Sequence, residues 1–130
     1  MNIVSCCIAT SALIAGTAGF AQYAASNPVP RGNPGSWVDI EAAPPKLIKK
    51  LKKDKAIRIR FTLSVGPEGR ATGCTHDASK KLDIEFGELT CSQVMRRARF
   101  NPAKDTQGTP VSGKYSSVAT WVRPKETGLL

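Results

Sequence analysis

The sequence predicts an α+β domain: a three-stranded antiparallel sheet in strand–strand–helix–strand order, with a short N-terminal helix packed on it. Three observations carry this. Residues 57–65 alternate strictly between apolar and polar side chains and run into a Gly-Pro turn. A helix-period stretch follows between Asp83 and Arg99, acidic near its start and basic at its end. A run rich in β-branched and aromatic residues, Lys114 to Arg123, closes the pattern.

The chain has 130 residues, enough for one core, and a formal charge of +9 from 19 Lys and Arg against 10 Asp and Glu. Residues 1–21 contain no charged side chain and are rich in Ala, Gly, Ser and Thr around Ile3, Val4, Ile8, Leu13, Ile14 and Phe20. They read as a signal peptide with small residues, Gly19 and Ala21, before a cut near Gln22. A weak membrane anchor is the alternative, since about 20 apolar residues can span a bilayer. The expected fate is therefore export, or a membrane-anchored form if the leader is retained.

Residues 22–43 read as a linker: five of the nine prolines lie between Gln22 and Pro45, with Gly32 and Gly35. Trp37, Val38 and Ile40 interrupt it and are expected to dock on the domain that follows. That domain spans 44–124, and residues 125–130 form a tail. Pro44-Pro45 opens a short helix whose apolar face is Leu47, Ile48 and Leu51. In the first strand, Ile57, Ile59, Phe61, Leu63 and Val65 face a core, while Arg58, Arg60, Thr62 and Ser64 face water. Gly66-Pro67-Glu68-Gly69 has Pro at the second and Gly at the fourth turn position, so Arg70 to His76 should fold back as a hairpin. Asp83 is the expected cap of the long helix, with Ile84, Cys91, Val94, Met95 and Ala98 on its buried face. Asn101-Pro102 should stop it, and a turn-rich loop from Asp105 to Gly113 leads to the last strand.

Cys74 and Cys91 are the only cysteines outside the leader. In an oxidising compartment they should form a structural disulfide, worth about 3 kcal/mol for a loop of this length. Their spacing is unlike a redox-active C-x-x-C motif.

Several spaced motifs then coincide. The turn Gly66-Pro67-Glu68-Gly69-Arg70 is followed by a helix ending Arg96-Arg97-Ala98-Arg99-Phe100-Asn101-Pro102-Ala103, then Gly108-Thr109-Pro110-Val111 and Tyr115. Over residues 33–123 this resembles the TonB C-terminal domain. The stretch Asn33-Pro34-Gly35-Ser36-Trp37-Val38 is similar to a subgroup of small exported TonB-like proteins, which also carry a cysteine in the second strand and one in the next helix. The resemblance implies a periplasmic domain that engages the N-terminal box peptide of outer-membrane receptors by strand addition, in transmembrane transport. It also implies inner-membrane motor proteins as possible partners. Two features depart from a full energy transducer. Gln22 to Ala43 would reach only about 70 Å as extended polyproline, and Pro44 stands where the family usually has an aromatic residue.

A last strand in a small open sheet has one unpaired edge. Tyr115, Ser116, Val118, Thr120 and Val122 are therefore the candidate partner-binding residues. A homodimer through the same edge is a further expectation. Lys49, Lys52, Lys53, Arg58 and Arg60 are candidate contacts to a polyanion, which makes a basic module on anionic cell wall or lipid the alternative function. Nucleic acid is not an expected partner, because no stacking aromatics line the polar strand faces. No cofactor or metal site is expected, and no enzyme. The single histidine, His76 beside Asp77, lacks a nucleophile or metal-spaced partner, and no phosphate-binding glycine loop occurs.

Overall fold

The structure is a computed structural model that describes residues 24–125. The expected leader, 1–21, and the end of the tail after Lys125 lie outside the described residues. In chain order the elements are β1 (Val29–Pro30), a 3-10 turn (Pro34–Trp37), α1 (Pro45–Ile48), β2 (Ile57–Val65) and β3 (Ala71–His76). There follow α2 (Lys81–Arg97), β4 (Phe100–Asn101), β5 (Ala103–Lys104), β6 (Pro110–Val111) and β7 (Gly113–Trp121). The main sheet has the order β3-β2-β7 and is antiparallel throughout. The α+β class and the three-stranded sheet are as the sequence predicts.

The period-two pattern of β2 sets the two faces. Ile59, Phe61, Leu63 and Val65 are buried, while Arg58 and Arg60 are exposed. At the β2–β3 turn, Gly69 N–H donates to the Gly66 carbonyl at 3.0 Å, with Gly69 at φ +84°. A second constraint acts on the same residue: an added Cβ would run into the Phe100 carbonyl oxygen. Gly69 is thus where the hairpin meets β4, and its own carbonyl accepts from Phe100 N–H at 2.9 Å.

Helix α2 begins two residues before the expected cap. Lys80 occupies the N-cap position without a side-chain bond, and Asp83 lies in the first turn, where it still complements the helix dipole. The helix ends at Arg97, with Ala98 already extended, so it stops well before Pro102. Its buried residues are Phe86, Gly87, Thr90, Gln93 and Val94; the expected Ile84, Cys91 and Met95 are only half-buried. The buried arc is rotated because a second layer of chain packs on that side.

That layer is the end of the segment read as a linker together with residues 44–51. Trp37 is 4% exposed and its ring lies 5.2 Å from Phe100 and 6.0 Å from Tyr115, with Phe100 and Tyr115 themselves 5.1 Å apart. Ala43, Leu47 and Leu51 close a second cluster with Ile59, Phe86 and Trp121. Backbone bonds extend the docking upstream: β1 pairs with β4, and Ser26 bridges to Lys104. Residues 26–51 therefore contribute to the core instead of tethering it. The short pairs β1–β4 and β5–β6 are two residues long, too brief for any periodicity to announce them. Asp105 organises the β5–β6 turn by accepting from Gln107 and Thr109 N–H groups at 2.9 Å each. Replacing Trp37 with Ala should cost about 3–5 kcal/mol, read as a lowered urea midpoint. A loosely tethered linker would leave the midpoint unchanged.

Candidate functional site

The candidate site is the free edge of β7. Its direction follows from a neighbour. Arg60 N–H donates to Asp77 Oδ1, and the Arg60 carbonyl accepts from Asp77 N–H, each at 3.1 Å and both on the β3 side of β2. Successive strand residues turn their backbone groups to opposite sides, so those of Phe61 face β7. Phe61 pairs with Ser117, and Ile59 with Ala119. Ser117 and Ala119 thus bond to β2, and Ser116, Val118 and Thr120 present N–H and C=O groups outward. No inter-segment backbone bond among the described residues engages those three on that side.

Side chains alternate in the same way. Tyr115, Ser117, Ala119 and Trp121 point to the core, and Ser116, Val118 and Thr120 to the open face, which they share with Arg58, Arg60 and Thr62. Of the candidate residues, Tyr115 lies half-buried in the Trp37–Phe100 ring cluster. Val118 is 44% exposed, and Thr62 Oγ1 and Ser116 Oγ are 2.8 Å apart. Val122 lies one residue beyond β7 and is exposed.

Two depressions flank the edge. On the core side a groove of about 290 Å³ runs along Ser117 to Thr120, walled by Pro34, Gly35 and Val38. Asn33 shapes that wall, its Oδ1 accepting from Gly35 N–H at 2.9 Å. In the sequence this wall lies inside an apparent linker, marked by Val38, one of the residues expected to dock. On the open face, Arg58, Arg60 and Asp77 with Val118 and Thr120 line a second depression. Neither guanidinium has a carboxylate partner among the described residues, whose ion pairs are Lys50–Glu85 and Arg97–Asp39.

The expected polyanion set is divided. Lys53 lies with Asp54, Arg123 and Lys125 at a different depression, and Lys49 and Lys52 are exposed near α1. His76 has a structural role: its Nδ1 accepts from Ala78 N–H at 3.3 Å, and its ring occupies space that any Cβ at Gly87 would need. This also explains a glycine inside α2. Among the described residues there is no group of three or more candidate metal ligands, and no helix long and apolar enough to cross a membrane. Family models, curated proteins and solved structures all return no match to this chain.

At the opposite edge, Cys74 of β3 and Cys91 of α2 are joined, with Cα atoms 5.6 Å apart. Cys74 pairs across the sheet with Leu63, so its side chain points to the face that α2 covers. Cys91→Ser should lower stability by about 3 kcal/mol under non-reducing conditions. Wild-type protein with dithiothreitol should show a matching drop in its urea midpoint.

Proposed function

We propose that the chain is a TonB-like periplasmic interaction domain that takes an extended peptide, the N-terminal box of an outer-membrane receptor, as an added strand beside β7. The observation that carries this reading is the outward row of backbone groups at Ser116, Val118 and Thr120, lying beside an open groove. Backbone pairing along such a row gives affinity, and alternating side chains give selectivity. The receptor class comes from the motif resemblance over residues 33–123, and the exported location from the apolar leader. Transport is the process that this binding would serve.

Strand addition makes an asymmetric prediction for proline. Val118→Pro and Thr120→Pro remove an outward N–H and should leave the fold near wild type while lowering receptor-peptide affinity at least tenfold. Ser117→Pro removes a bond to β2 and should instead lower the melting temperature. Isothermal titration and thermal unfolding separate the two effects. Unchanged peptide binding in both Val118→Pro and Thr120→Pro would exclude this edge as the binding surface.

A further inference from the structure

We infer that an added strand is read on its open face by Arg58 and Arg60, so that the preferred partner peptide alternates acidic side chains with small apolar ones. The inference rests on the strand-addition reading and assigns it a ligand chemistry.

The alternation follows from register. A peptide residue opposite Val118 or Thr120 puts its side chain on the same face as theirs. On β2, Arg60 is the cross-strand partner of Val118, and Arg58 of Thr120, all on that face. An added strand would lie about 10 Å from β2, two strand spacings away. A long arginine and a glutamate together bridge that distance over the short Val118 and Thr120 side chains. Both guanidiniums are free of ion pairs among the described residues. The one carboxylate lining this depression, Asp77, is on the β3 side of Arg60, away from the free edge, and its Oδ1 is held by Arg60 N–H. The face is thus open to negative charge arriving from the β7 side.

Peptide residues between these point to the core side, into the groove walled by Pro34, Gly35 and Val38 above the small Ser117 and Ala119. No charged side chain lines it, and at about 290 Å³ it has room for valine-sized side chains and no partner for a buried charge. A peptide shifted by one residue would put its acids in the groove and its apolar groups on the arginines. The two faces together fix the register.

The test uses three labelled seven-residue peptides: valine alternating with glutamate, with glutamine, and with lysine. Fluorescence anisotropy with the wild-type domain should show the glutamate peptide binding about three- to ten-fold tighter than the glutamine peptide, with lysine weakest. The margin should shrink at high salt. An Arg58→Gln/Arg60→Gln domain, checked for an unchanged melting temperature, should bind all three alike, at the wild-type affinity for glutamine. Equal glutamate and glutamine binding to wild type, with Val118→Pro abolishing both, would overturn the acidic selectivity and leave strand addition standing. Failure of all three peptides to bind would overturn both. Glutamate-peptide binding that survives Val118→Pro but needs the arginines would overturn the inference in favour of a general polyanion face.

Discussion

One helix cannot cover three strands. Strands are spaced about 4.8 Å apart, and a helix with its side chains is about 10–12 Å across, so α2 lies mainly over β2 and β3 and reaches the inner face of β7 at Trp121, through Phe86 and Thr90. That face carries Tyr115, Ala119 and Trp121, which must be kept from water. The N-terminal segment does this in two places, Trp37 over Tyr115 and the Leu47–Leu51 stretch beside Trp121. Between them, at Ser117, the cover is incomplete and the groove opens. The groove is therefore a seam between two pieces of cover, placed beside the one strand edge the fold leaves unpaired.

Buried polar joints fasten the N-terminal cover, and β7 itself, to α2. Gln93 uses its whole amide: its Oε1 accepts from Asp39 N–H at 2.6 Å and its Nε2 donates to the Asp39 carbonyl at 2.9 Å. The side chain thereby satisfies a backbone unit as a neighbouring strand would. Thr90 Oγ1 donates to the Phe86 carbonyl at 2.7 Å and accepts from Trp121 Nε1–H at 2.9 Å. Among the described residues no buried side-chain nitrogen or oxygen lacks a partner. Apolar packing alone tolerates sliding, whereas an unmatched amide in the core costs about 1–3 kcal/mol, so these joints fix where the cover and β7 sit against α2.

The sheet was legible because β2 alternates over nine residues and its turn carries Gly69 where the backbone needs a positive φ. The free edge was legible too, since it follows from strand order. The cover was not. Proline and glycine in 22–43 carry the composition of a tether, and nothing local states that Asp39 will meet Gln93, 54 residues away. The same long-range contact rotated the buried arc of α2 toward Thr90 and Gln93, polar residues that a hydrophobic-periodicity argument assigns to water. The start of α2 was misplaced because Lys80 caps it without a side-chain bond, leaving Asp83 as the strongest local signal. Arg58 and Arg60 were readable as exposed cations, but their nearness to the β7 edge needed the register of β2 against β7.

The two edges of the sheet differ in how they can come apart. On one side a covalent bond holds β3 to α2, so that half cannot separate without the helix moving with it. On the other, every tie is non-covalent: β7 is held by one ladder of backbone bonds, by the packing and hydrogen bond of Trp121 on α2, and by a cover that is itself only packed and hydrogen-bonded. Proteins open in cooperative units of unequal free energy, and this arrangement makes the β7 half the first to open. A segment that binds along β7 would therefore stabilise the weakest unit of the molecule in proportion to its own occupancy. Slowed amide exchange should then concentrate in β7 and the Trp37 turn, with the stapled half changing little.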